Sequence, residues 1–555
     1  MTSRPQSNHR TPYRVRPFLS APDGARSLLG RGAMAAVPVI FLGVMVVWPV
    51  VAVLDRSLAG TAMADIWRVL ARPSVRSVVG FTIFQATLST VATFLVGVPV
   101  AQALARYRFR GRGLLRAVAV VPFVLPTVVV GSAFSELFDR VGLQADRSLA
   151  AIVSAHVFFN VAVVVRVVGG FWATADRRLL ESAAVLGAGR WGRFWWIELP
   201  RLAPVLAAAA VVVFLFSFTS FGVIKILGGP GRATVETEIF RYAINRGEPD
   251  VAAVLAMVQI VVVGALALGS AKLQRSLASA DRGRVRSGGV RIRSWGQRLH
   301  LTAILCLVAG VVVAPLAVLV ERSLAVDGGY GLAHYRRLVG DVDLLPVTAV
   351  EAFTHSLIFA AVAAIVATTV ALTAALTVVR GGRFGRWIEA ASLVPLGVSA
   401  VTLGFGYVVG FSAFDLRRSV WLVPLAHSVV GLPFVLASIV PALRAIDPAL
   451  REAASTLGAT PAVVRRVIDW PLVRPAALTG AGFAAAVSIG EFGATAFVAR
   501  GADSFTAPMA VFRLISQPGA ALRGQAMALS VLVGLTVALI AVAMEWRRAD
   551  IGTAL

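Results

Sequence analysis

The sequence predicts an all-α polytopic membrane protein built from two like halves, and three observations predict it. Of 555 residues, 58% are hydrophobic and only 15% charged, and the mean hydropathy is +0.81, a balance foreign to water-soluble domains. About twelve apolar runs are each long enough to cross roughly 30 Å of hydrocarbon at about 1.5 Å of rise per helical residue. The chain also repeats itself at a fixed spacing of 271 residues.

In chain order, residues 1–32 are polar, basic and proline-containing, and read as a cytoplasmic tail. A first half, 33–271, holds runs at about 33–54, 79–105, 115–138, 149–170, 203–227 and 250–271. The first run exceeds a signal-peptide core and ends in Trp48-Pro49 rather than a small-residue cleavage site, so it reads as an uncleaved span. A linker, 272–299, is rich in Arg, Ser and Gly. The second half, 300–555, holds runs at about 300–320, 355–378, 387–413, 421–442, 475–499 and 525–545.

Charge sets the expected orientation. The formal net charge is +25, and with the N-terminus inside, about 34 basic residues fall on inside segments against about 17 outside. Both termini are therefore expected in the cytoplasm, and the basic excess reads as topology in a lipid bilayer rather than as affinity for nucleic acid. Cys306 is the sole cysteine, which excludes an intramolecular disulfide framework and a cysteine-built metal site.

The repeat aligns several features without a gap: His156 with His427, Asp176 with Asp447, Glu181 with Glu452, Gly187 with Gly458, Ile197 with Ile468, Pro200 with Pro471, and SFTSFG from Ser217 with SIGEFG from Ser488. Its best-conserved piece between the halves is a loop that lipid contact cannot explain. One copy reads ESAAVLGAGRWGRFWWIELPRLAP and the other EAASTLGATPAVVRRVIDWPLVRP. Each is expected to be a short helix opened by its carboxylate, a glycine turn, then an apolar-basic segment leading to a proline that opens the next span.

These residues resemble the EAA loop of permease subunits of ATP-binding-cassette importers: Glu, an Ala-rich pair, Gly six residues after the Glu, Ile ten residues later and a closing Pro. Ser182 and Trp470 are the departures. The resemblance implies two tandem type I importer permease domains in a bacterial plasma (inner) membrane. It implies coupling to an ATPase subunit through Glu181, Ala183, Ala184, Gly187, Ile197 and Pro200 in one loop and Glu452, Ala453, Ala454, Gly458, Ile468 and Pro471 in the other. Expected partners are that ATPase, as a homodimer, and an extracytoplasmic solute-binding protein. AHVFFN from Ala155 and the stretches from Phe216 and Ser488 resemble the thiamine and ferric-iron permease group, with the Gly228–Phe240 pattern nearer the thiamine branch.

No P-loop can be built, because a P-loop lysine must be followed by Ser or Thr, and the only lysines, Lys225 and Lys272, precede Ile and Leu. No cofactor, metal or catalytic group is therefore expected on this chain, with ATP and magnesium on the partner. The rival reading is an ion-coupled secondary carrier, which also uses two six-span halves, although the spans offer few carboxylates to couple protons.

Polar groups at membrane depth cost roughly 2.5–3.5 kcal/mol when charged, which makes the survivors candidates for a solute pathway. They are Glu491, its repeat mate Ser220, His156, Asn160, Arg166 and His427, with Lys225 and Glu136 near span ends. The two histidines, being repeat-related, read as helix packing as much as ligand contact.

Overall fold

The computed structural model describes residues 25–59, 63–143, 148–174, 178–229, 231–279, 290–412 and 419–553. Most of the expected tail (1–24), the centre of the expected linker (280–289), Asp176 and Arg177 lie outside the described residues.

Each half is organised around three mutually packed helices: Pro73–Arg106, Leu149–Thr174 and Leu199–Phe218 in the first, and Ala349–Val379, Leu422–Ala445 and Trp470–Ile489 in the second. The packing is close because small residues recur at helical spacing. Ala360, Ala363, Ala367, Ala371 and Ala374 form a buried stripe on one helix, and backbones approach where side chains are short.

The all-helical, many-span expectation of about twelve helices holds, with breaks inside some of the runs. Among the described residues, ten helices are long and apolar enough to cross a membrane, and an eleventh candidate is the pair Gly382–Pro395 and Ala400–Gly410, bent by 99°. The run at 115–138 is likewise interrupted, as helices Arg112–Val120 and Thr127–Arg140 separated by a 3-10 turn at Val121–Val124. Prolines explain the break at 121–126, since Pro122 and Pro126 lack the N–H that would continue the ladder, whereas the other break falls where Ser399, in extended backbone, caps the helix Ala400–Gly410 by accepting from Thr402 N. The runs at 203–227 and 475–499 overshoot too. Their helices end at Phe218 and Ile489, and the chain turns back through short helices at Gly222–Leu227 and Val235–Phe240, and at Thr495–Val498 and Ala507–Ile515.

These returning segments are held by the long helices. Thr82 Oγ1 accepts from Val235 N at 3.1 Å, and Ser356 Oγ accepts from Ala507 N at 2.9 Å, so a hydroxyl satisfies a helix-start donor in each half.

The halves interlock through their first spans. Trp48 Nε1 donates to Gly410 O at 2.9 Å and Tyr407 Oη donates to Met45 O at 2.9 Å, which fastens the first half's opening span, Met34–Leu58, against the second half. Reciprocally, the second half's opening span, Trp295–Leu324, reaches the first, where Arg322 pairs with Glu136 at 3.3 Å and Arg140 pairs with Glu321. The two opening spans share the pattern DRSLA and ERSLA, at a spacing of 266 rather than 271, which is why the 271-residue register did not reveal them.

Candidate functional site

The twin loops fold alike. Helices Arg178–Val185 and Pro448–Thr456 each end in a glycine with positive φ, Gly187 at 85° and Gly458 at 82°. The closing bonds match one for one: Gly187 N to Ala184 O and Ala188 N to Ala183 O, against Gly458 N to Ser455 O and Ala459 N to Ala454 O. This is the Schellman arrangement, which needs a residue at ease in the left-handed region. Thus Ala183, Ala184 and Ala454 supply carbonyls to the turn, and Ala453 O accepts from Leu457 N.

Two details of the sequence reading change. Glu181 lies in the first turn of its helix, but Glu452 is mid-helix, because Asp447 caps the second helix by accepting from Ala449 N at 2.9 Å. Pro200 and Pro471 do not open new helices. Ile197 and Ile468 sit in π-turns, Phe194–Glu198 and Arg465–Asp469, that run on into the following span; a π-turn frees backbone groups where the proline would otherwise break the ladder.

The loops present apolar side chains outward. Leu186 and Leu457 are 87% and 88% exposed, and the first loop adds Trp191, Trp195 and Trp196, all exposed. They are also braced differently. Asp469 accepts from Arg451 at 2.8 Å within the second loop, whereas Glu198, its repeat mate, accepts from Trp172 Nε1 at 3.0 Å on the Leu149–Thr174 helix.

A cavity of about 280 Å³ lies where the halves meet, and it brings together four of the sequence-derived candidates: His156, Asn160, Ser220 and Glu491. The proline breaks build its wall, since Pro126 and the 3-10 turn before it line it alongside SFTSFG and SIGEFG. Close approach requires glycine there: a Cβ on Gly490 would stand 3.0 Å from Pro126 Cα. Six phenylalanines, Phe123, Phe159, Phe216, Phe221, Phe434 and Phe492, supply most of the aromatic lining, and no Lys or Arg among the described residues lines it.

Two candidates fall elsewhere. His427 is buried but is not part of the lining. Arg166, ten residues on from His156, is about 15 Å further along the same helix, and it is exposed outside the cavity.

Sequence reading missed an aromatic pair in the lining of this cavity. Phe221 and Phe492 are repeat mates and stack on each other at 5.3 Å. Behind them Phe221 meets Phe240 at 5.7 Å and Phe492 meets Phe512 at 5.4 Å, and Lys225 Nζ lies over both outer rings, 4.6 Å from Phe240 and 5.6 Å from Phe512. The aligned SFTSFG and SIGEFG carried the signal, because residues in register across a two-fold repeat are the ones that can meet on its axis.

Residues 93–273 match the family described as binding-protein-dependent transport system inner membrane component. The match ends at the start of the linker, and the second half repeats the matched stretch at a spacing of 271 residues. Residues 93–273 thus carry the signature of this permease family, and the relatives similar to the chain over both halves are ABC transporter permeases. That sets aside the secondary-carrier reading. The permease is 26% identical over 489 residues to a probable ABC transporter permease protein, y4fN, of Sinorhizobium fredii, covering 81% of this chain and 84% of that protein. It is 28% identical over 501 residues to the thiamine transport system permease protein ThiP of Salmonella typhimurium, covering 83% and 88%. The sulfate transport system permease protein CysT of Escherichia coli is 28% identical over 258 residues, 45% of this chain and 93% of that one. Among solved structures, a bacterial alginate ABC transporter in complex with its alginate-bound periplasmic protein aligns with 47% of this chain and 97% of that one, at 18% identity and a TM-score of 0.39. The permease is thus a multi-pass inner-membrane protein, and its relatives are transport permeases.

Proposed function

We propose that this permease carries thiamine, or a thiamine phosphate, through the membrane for an ATP-driven importer whose ATPase and solute-binding protein are separate subunits. The observation that carries the substrate is the span of the likeness: a thiamine permease matches across both halves, 83% of the chain, whereas the sulfate permease covers 45%. The cavity chemistry supports the same choice. Thiamine joins a cationic thiazolium ring to an aminopyrimidine ring through a methylene, and among the described residues the lining offers six aromatic rings and the carboxylate of Glu491 with no arginine or lysine to receive an oxyanion, which favours thiamine itself over its phosphates.

In this reading the twin loops are the coupling elements, with Leu186 and Leu457 at their tips, and each docks on one copy of an ATPase that holds ATP and magnesium. Both termini and both loops face the cytoplasm, in line with the arginine distribution. Closure of the ATPase pair draws the two loops together, and the rigid Schellman turns pass that movement to the spans that follow. The cavity between the halves then opens outward to receive solute, and ATP hydrolysis returns it.

The test is purification of the tagged permease in mild detergent, with mass spectrometry of the co-purifying chains, followed by reconstitution and thiamine uptake. A stoichiometric ATPase and ATP-dependent thiamine uptake are expected. Uptake of ferric iron or sulfate instead would overturn the substrate assignment, and uptake without any ATPase would overturn the coupling scheme.

A further inference from the structure

The two repeat-related histidines are bonded differently, and the difference leaves one buried ring nitrogen of His156 without a hydrogen-bond partner among the described residues. His427 is satisfied on both sides: Nδ1 shares a bond with Ser488 Oγ at 2.8 Å, and Nε2 with Thr495 Oγ1 at 2.7 Å. Glu491 in turn accepts from Thr495 Oγ1 at 3.0 Å, so the carboxylate, the hydroxyl and the imidazole form one closed chain. In the first half, Ser220 stands where Glu491 would be and Ile224 where Thr495 would be. Ser217, the mate of Ser488, is taken by Asn160 Nδ2 at 3.2 Å. His156 bonds instead to Ser89 across the helix pair, Nδ1 to Oγ at 2.9 Å, and its Nε2 has no partner among the described residues.

His156 is only 2% exposed and lines the cavity, while Ser89 does not. The two ring nitrogens point in different directions, so fixing Nδ1 on Ser89 turns Nε2 away from that helix. A buried polar nitrogen without a partner costs about 1–3 kcal/mol, a cost that a bound molecule can remove.

We infer that His156 is a solute-contacting residue, with Nε2 hydrogen-bonding a ring nitrogen or amino group on a planar heteroaromatic ring of the solute held against the cavity's phenylalanines. The inference rests on the proposed thiamine reading for its solute class. It adds a polarity to the site: the solute's hydrogen-bonding edge lies toward the first half, and its positive charge toward Glu491 of the second. The stacked pair Phe221 and Phe492 lines the same cavity.

The test is equilibrium binding of radiolabelled thiamine to the purified permease–ATPase complex without binding protein, alongside thiamine uptake by the complete reconstituted transporter. His156→Phe, which keeps the volume and removes the nitrogen, is expected to raise the Kd about tenfold or more, and His156→Gln, which restores a hydrogen-bonding group, to recover most of that loss. A second route leaves His156 in place: the pair Ser220→Glu with Ile224→Thr copies the second half's closed chain and is expected to occupy Nε2 internally, with a similar rise in Kd. Thiamine uptake by the unchanged transporter, together with an unaltered Kd in His156→Phe and in the pair, would overturn the inference and leave the thiamine reading standing. Absence of uptake by the unchanged transporter would overturn the thiamine reading, and with it the solute class stated here.

Discussion

The two halves keep the same backbone where force would be passed on and differ where a solute would be held. Their loops end in the same Schellman turn, with the same donors and acceptors displaced by 271 residues. Their histidines, displaced by the same 271, have different partners. A repeat conserves what two identical partners would need from both copies, and it is free to diverge at the axis, where one solute meets both copies at once.

The sharpest way to break this comparison is at the turns. Gly187→Val and Gly458→Val each place a β-branched residue at a φ near +85°, which costs roughly 1–3 kcal/mol. Each is expected to cut ATP-dependent uptake about tenfold or more in proteoliposomes, by similar factors and without loss of membrane insertion. A large effect in one loop and none in the other would show that the halves are coupled unequally.

Next in size is the closed chain of the second half. Glu491→Gln keeps one acceptor oxygen and turns the other into an NH2 donor, so one of Ala494 N and Thr495 N, each 3.1 Å from its carboxylate oxygen, loses its acceptor, with an expected loss of about 1–3 kcal/mol. Ser220→Ala, the same position in the first half, is expected to cost under about 0.5 kcal/mol. Thermal unfolding in detergent compares the two, and equal losses would remove the asymmetry.

Smaller again is the interlock between halves. Tyr407→Phe loses the bond to Met45 O, which for a hydrogen bond within the membrane averages about 0.6 kcal/mol, read in the same unfolding assay. The smallest effect expected is Arg451→Ala, which breaks a part-exposed ion pair with Asp469, worth about 0.2–1 kcal/mol. Trp172→Phe, which frees Glu198 in the first half, sharpens this comparison by showing whether the loop depends more on a brace within itself or on one to its span.

The sequence made the halves, the twin loops and most of the long helices legible, because each rests on local signals: apolar length, a glycine at a turn, a fixed repeat. Breaks within apolar runs were harder. Composition cannot tell a crossing helix from one that stops and turns back, so SFTSFG and SIGEFG were absorbed into spans that end at Phe218 and Ile489. Glu491 stood out as a carboxylate at membrane depth, but its bonds to the Thr495 backbone and hydroxyl depend on that unpredicted turn. His156 and His427 look equivalent in the repeat. Only the partners around them, Ser89 in one half and Thr495 in the other, separate a ring with a nitrogen to spare from one without.

The exchanged opening spans bear on how the protein is made. Met45 and Tyr407 are 362 residues apart in the chain yet share a hydrogen bond. At a synthesis rate of about 5–20 residues per second, the first helix waits roughly 20–70 s in the bilayer before the segment it packs against has been made. Through that interval it can pack on the first half's own last helix, where Arg56 pairs with Asp250 at 2.9 Å, while the flank that meets Gly410 and Tyr407 waits for the second half. Assembly is therefore ordered by the second half: each half is completed by a helix from the other, and the native arrangement is reached only late in synthesis.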